Sequence, residues 1–202
     1  MEFLYSIDKA IFLFINQTLS NPVGDVLWPL ITDYDKLWPV RIVLGGSWLW
    51  LLIRGGRRGR TVAILLVPLL FLSDKLSSSV IKEIVDRPRP CQEMNGIPIV
   101  QTIHLLVDCG PGKAFPSSHA VNNFAVATLF SFYYRRWMYA FLGWASLVAL
   151  SRPAVGVHYP SDILAGVLIG TIVAAFVIWV WLSIERLFFP SPEEKTSSKV
   201  VT

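Results

Sequence analysis

Ser151-Arg152-Pro153-Ala154-Val155-Gly156-Val157-His158-Tyr159-Pro160-Ser161-Asp162 is a polar island between two long apolar runs. His158 and Asp162 are four residues apart, so a helix starting near Pro160 brings the carboxylate against the imidazole and selects one tautomer. Arg152 adds a permanent cation whose planar fork suits phosphate or carboxylate. A histidine and an aspartate at this spacing also describe a helix cap or a satisfied core histidine. The rest of the chain decides between these readings.

The apolar runs around the island set the environment. The 202 residues are 53% hydrophobic and 16% charged, with mean hydropathy +0.53, whereas soluble domains carry roughly 25% charged residues. The chain therefore reads as a membrane protein. Its net charge of +4 sits in short loops between apolar runs rather than on one amphipathic face, which points away from nucleic acid. Outward from the island, the hydropathy pattern predicts an all-α polytopic membrane bundle of about five transmembrane helices. They fall near 37–53, 61–81, 120–134, 137–151 and 162–184.

Before the first span, Leu4, Ile7, Ile11, Phe14 and Ile15 recur at helical spacing, predicting an N-terminal interfacial amphipathic helix over residues 3–19. Glu2 and Asp8 stand where a signal peptide would be basic, and no small-residue cleavage site follows. Asn21-Pro22 and Gly24 read as a break, with Trp28, Pro29, Trp38 and Pro39 as a headgroup-level approach to the first span. Residues 1–189 form one expected domain, and 190–202 a short, polar, disordered cytoplasmic tail.

Two basic loops orient the bundle. Arg54-Gly55-Gly56-Arg57-Arg58-Gly59-Arg60 joins the first two spans and Arg135-Arg136 the third and fourth, and both belong in the cytoplasm by the positive-inside rule. The polar island then faces the extracytoplasmic side of the cell (inner) membrane. In the last span Asp162, Gly166, Gly170 and Ala174 step by four, a stripe expected to pack on neighbouring helices.

Further chemistry gathers on the island's side. The second span ends in Asp74, Lys75, Ser77, Ser78, Ser79 and Lys82; Asp74, Ser78 and Lys82 share a face, so the carboxylate can pair with a serine or a lysine. Asp86-Arg87-Pro88-Arg89-Pro90 follows, with prolines that end the helix and fix how the arginines project. The two cysteines, Cys91 and Cys109, lie in the same extracytoplasmic loop, where a disulfide is expected. Ser117-Ser118-His119 precedes the third span; serines there are natural N-caps, and the same helix start is a prepared anion site.

Lys82 with Arg89, Ser117 to His119, and Arg152 with His158 and Asp162 thus lie at one membrane face. Cations to neutralise a phosphoryl group, hydroxyl and N–H groups to orient its oxygens, and two histidines describe a phosphate-transfer site. These residues resemble the type 2 phosphatidic acid phosphatase (PAP2) superfamily, which includes the vanadium haloperoxidases. The family pattern K-x6-RP, PSGH and SR-x5-H-x3-D is met by Lys82 to Arg89-Pro90, Pro116 to His119, and Ser151-Arg152 to His158 to Asp162. Ser118 departs from the usual glycine. The resemblance implies that His158 is the nucleophile forming a phosphohistidine, Asp162 orients it, and His119 protonates the leaving oxygen and then activates water. Lys82, Arg89, Arg152, Ser117 and backbone N–H groups at Ser118 would hold the phosphoryl oxygens.

Two histidines and an aspartate could instead bind a divalent metal, but the three cations would repel it, so neither metal nor other cofactor is expected. The substrate is a lipid phosphate embedded in the bilayer, without nucleic acid or an obligatory protein partner. The compact form is similar to undecaprenyl diphosphate phosphatases of the superfamily. Phosphatidylglycerophosphate, phosphatidic acid and lipid A 1-phosphate remain alternatives, as do a lipid phosphotransferase and a phosphate-binding scaffold without turnover.

Overall fold

In the computed structural model, residues 2–188 are described, and the expectation of a disordered tail at 190–202 falls outside them. The chain is helical nearly throughout. α1 (Glu2–Leu13) runs into a π-helical turn, Phe14–Thr18, and is followed by α2 (Pro22–Thr32), α3 (Trp38–Arg54) and α4 (Gly56–Asp74). A second π-helical segment, Lys75–Ile81, carries α4 into the short α5 (Lys82–Val85). After the loop come α6 (Ser118–Tyr133), α7 (Met138–Ala154) and α8 (Pro160–Phe188). The loop carries the only strands among the described residues, β1 (Glu93–Met94) and β2 (Ile97–Pro98), paired antiparallel.

The five apolar stretches read from the sequence become α3, α4 with α5, α6, α7 and α8. The second and last run longer than the hydropathy windows: residues 56–85 and 160–188 are each long and apolar enough to cross a bilayer alone. The core lies between α4, α6 and α8, where Val62, Leu65 and Leu69 meet Ala125, Leu129, Val173, Ala174 and Val177. Contact is densest between α6 and α8, because the small-residue stripe lets their backbones touch. A Cβ on Gly166 would come within 2.7 Å of the Ala120 Cβ, and one on Gly170 within 2.2 Å of the Val121 carbonyl oxygen.

One expectation about the N-terminal region needs correction. Residues 22–32 are a helix rather than a break: the Asn21 side chain accepts from the Gly24 N–H at 2.9 Å, and Pro22 takes the first helical position, where its missing N–H costs nothing. The apolar stripe of α1 and of the π-helical turn after it points outward, with Leu4 70% and Phe14 52% exposed, while Phe12 and the polar Asp8 and Asn16 are buried. An interfacial helix can give its apolar face to lipid and keep its polar groups for the protein.

At one end of the bundle the two basic loops come together. Arg58, Arg135 and Arg136 line one cavity with Tyr133, Tyr134 and Trp137, and Arg57 reaches Glu185 near the end of α8 at 3.4 Å. The polar island lies at the other end, where α6 and α8 begin.

Candidate active site

Residues 151–159 are buried throughout. The island leaves α7 through a turn at Gly156, whose φ is +92° and where a Cβ would stand 2.9 Å from Ile103 Cγ2 and 3.1 Å from the His104 carbonyl oxygen. Only glycine lets the turn lie this close to the 103–104 segment. Beyond it, His158 is 1% exposed. Its Nδ1 is 3.4 Å from Asp162 Oδ2, and the same oxygen accepts the Tyr159 N–H at 2.8 Å. Burial first, then the Arg152, Arg89 and Lys82 cations, hold the imidazole well below its ordinary pKa, which favours the neutral ring.

The start of α6 is joined to the same turn, since the Ser117 N–H donates to the Asp162 carbonyl at 3.1 Å. Ser117 Oγ is fully buried and has no partner. Ser118 behaves differently: its hydroxyl lies 3.2 Å from Ser78 Oγ and 3.4 Å from Ser77 Oγ, while Ser78 donates to Asp74 at 3.2 Å. The departure from glycine therefore ties α6 to the π-helical segment, and what Ser118 can offer an anion is its N–H in the unpaired first turn. Of the partners open to Asp74, the structure shows the serine. His119 is half-buried one residue further on, and its carbonyl accepts from Asn123 at 2.9 Å.

The cations are held from outside the motifs. Arg152, 5% exposed, donates to Thr32 Oγ1 at 2.6 Å; Thr32 is the last residue of α2, the helix the sequence reading lacked. Arg89 donates to the Cys109 carbonyl, and its N–H binds Gln92 Oε1 at 3.0 Å. Gln92 also donates to the Gly112 carbonyl at 3.2 Å, and Cys91 and Cys109 are bonded with Cα atoms 5.9 Å apart, so the loop closes around this arginine. Lys82 is half-buried. Arg89 Nε and Arg152 Nε, like Ser117 Oγ, are buried donors without a partner. Such donors are rare in folded proteins and expensive to leave so; the acceptor oxygens of an anion are the kind of partner each lacks.

Four further residues shape this region that the sequence reading gave no role. Asn16 is 1% exposed. It donates to the carbonyls of His104 at 2.8 Å and Ala154 at 2.9 Å, and accepts the His104 N–H at 2.8 Å. Arg87 and Asp8 pair at 2.6 Å, and Arg87 also reaches Asp162 Oδ1 at 2.8 Å. Thr32 completes the set. The signal available beforehand was Asp8 itself, an ionisable residue in a helix otherwise bound for the membrane surface.

The sequence profile of the PAP2 superfamily matches residues 59–186. The chain belongs to the PAP2 superfamily. It is 29% identical over 175 residues to a lipid A 4'-phosphatase of Bacteroides thetaiotaomicron, covering 84% of this chain and 75% of that protein. It is also 26% identical over 184 residues to an undecaprenyl-diphosphatase of Bacillus subtilis, covering 91% and 86%. Among solved structures it superposes on a transmembrane PAP2-type phosphatidylglycerolphosphate phosphatase from Bacillus subtilis. The TM-score is 0.67 at 22% identity, over 92% of this chain and 90% of that one. The three stretches that resemble the family pattern, at 82–90, 116–119 and 151–162, all fall within the matched residues.

Proposed function

We propose that this chain hydrolyses a phosphate or diphosphate head group of a membrane lipid through a phosphohistidine at His158. The observation that carries the proposal is a buried imidazole backed by Asp162, with three buried donor atoms without partners on the residues gathered near it: Arg89 Nε, Arg152 Nε and Ser117 Oγ. His158 Nε2 attacks phosphorus and the bond to the lipid oxygen breaks, with His119 delivering the proton that oxygen needs. In the second half, water gives a proton back to His119 and attacks phosphorus. The P–N bond breaks and inorganic phosphate leaves. Lys82, Arg89 and Arg152 supply the charge compensation that a metal ion gives other phosphatases, so turnover proceeds without one.

The same reading sets the protein in the inner membrane, with α3, α4–α5, α6, α7 and α8 crossing it and the site on the extracytoplasmic face. It is supported by the gathering of both arginine loops at the end opposite His158. A site at the interface suits a head group whose chain stays in the bilayer, and the substrate put first is undecaprenyl diphosphate, cleaved to the monophosphate. A second reading, a lipid A phosphate monoester, is favoured by the Bacteroides relative. Phosphate release by the purified protein distinguishes them. It should be measured in detergent with EDTA, across undecaprenyl diphosphate, lipid A, phosphatidylglycerophosphate and phosphatidic acid. Release from none of them, or activity that EDTA removes and a divalent metal restores, would sink the proposal. Phosphate appearing on an added acceptor lipid rather than in water would make the protein a phosphotransferase.

A further inference from the structure

Asp162 is fully buried, and its two oxygens are divided between two tasks. Oδ2 faces His158 and the Tyr159 N–H, while Oδ1 accepts from Arg87 Nη1 at 2.8 Å. Arg87 is not free to choose this position. Its Nη2 donates to Asp8 Oδ2 at 2.6 Å and its guanidinium carbon lies 4.2 Å from the centre of the Tyr159 ring. Asp8 in turn accepts the Ser161 N–H at 2.9 Å through its other oxygen. The planar fork of Arg87 thus spans two carboxylates, one on the N-terminal helix and one beside His158, a bridge a lysine ammonium could not reproduce.

We propose that Asp8 is a positioning residue for the reaction, acting through Arg87 to fix Asp162 against His158. The inference rests on the phosphatase reading above and adds a residue outside every motif. A buried carboxylate can rotate about its last bond; with Arg87 fixed on Oδ1, Oδ2 stays turned to the imidazole that must be oriented for attack. Two carboxylates around one guanidinium also leave one net negative charge in the cluster. Without Asp8, Arg87 would direct its whole charge at Asp162 and weaken the support that carboxylate gives the imidazolium character developing on His158. Asp8 hydrogen-bonds to Arg87 and Ser161 and to none of the unpartnered donors, so its effect belongs to the chemical step rather than to phosphate binding.

The test is steady-state kinetics of the full chain in detergent, with inorganic phosphate as a product inhibitor that reports on the anion pocket. Asp8→Asn should lower kcat by about tenfold, the low end of what losing an outer hydrogen-bonding partner of a reacting group costs, while KM and the phosphate inhibition constant hold within about twofold. Arg87→Lys, which keeps the charge but loses the fork, should show the same split. In an Asp162→Asn background Asp8→Asn should add nothing, because the group it acts through is already gone. Unchanged kcat in the single variants overturns the proposal. So does a loss that multiplies in full in the Asp162→Asn background, or phosphate inhibition that weakens in step with kcat; either would make Asp8 a general prop. A wild-type protein inactive on every lipid phosphate would overturn the phosphatase reading first, and this proposal with it. An active wild type with indifferent variants overturns this proposal alone.

Discussion

Removing the Asn16 carboxamide isolates what holds the nucleophile turn in place. Asn16→Ala leaves the His104 N–H and the Ala154 carbonyl, bonded at 2.8 and 2.9 Å, without their buried partner. A buried polar group stripped of its partner costs about 1–3 kcal/mol, so the buried Ala154 carbonyl and the half-buried His104 N–H together give a loss of about 3 kcal/mol. For a chain of this size each kcal/mol moves a thermal midpoint by about 2–4 °C, which predicts a fall of about 6–12 °C. Thermal unfolding of the detergent-purified protein, followed by tryptophan fluorescence, reads it. Phosphate release measured on the same samples should fall as well, because Ala154 and His158 belong to one turn. Asn16→Asp should be no better, since it replaces a donor facing two carbonyls with a buried acceptor. An Asn16→Ala midpoint within about 2 °C of wild type would refute the assignment of Asn16 as the support of the turn.

Gly170→Ala should destabilise the protein by about 1–3 kcal/mol, because its Cβ would lie 2.2 Å from the Val121 carbonyl oxygen. Gly143→Ala, whose Cβ meets nothing within 4 Å, should not, and equal midpoints for the two would count against close α6–α8 packing as a determinant of stability. His158→Ala should abolish turnover on every substrate, whereas His119→Ala should lose least on a diphosphate or an activated aryl phosphate, whose leaving group needs little protonation; equal losses on good and poor leaving groups would remove His119 from the acid role. A thiol at Met94, 58% exposed in the hairpin, should react with an impermeant reagent on intact cells and one at Trp137 only after lysis. The reverse pattern would invert the proposed orientation.

How far the sequence could be read depends on whether a residue's partner lies within a helix turn of it. His158 and Asp162 are four apart, and Asp74 and Ser78 likewise, so spacing alone places each pair on a common face. The glycine stripe of α8 was readable because small residues at intervals of four have few other uses in a membrane helix. Thr32 was not readable: its role rests on Arg152, 120 residues later, and nothing local to a threonine at a helix end announces that. Arg87 was visible as a proline-flanked cation, and the family resemblance left it out of the expected phosphate ligands, but its turn to the carboxylates depends on Asp8, 79 residues earlier.

The N-terminal helix shows why the direction of a hydrophobic stripe does not follow from its existence. In a soluble protein the apolar face of an amphipathic helix points to the core and its charges to water, and on that rule Asp8 and Asn16 would be surface residues. Beside a bilayer the apolar face already has a favourable solvent, so burying it against protein gains little. Asp8 in α1 and Asn16 in the turn after it, by contrast, would have no water within reach on the lipid side. They are driven inward, and there they must be satisfied by backbone or by opposite charge. Asn16 finds carbonyls and Asp8 finds Arg87. Once a helix of this kind is known to lie at the membrane, its isolated polar positions are the ones that point to what it is docked on, and in this chain both point to the loop that carries His158.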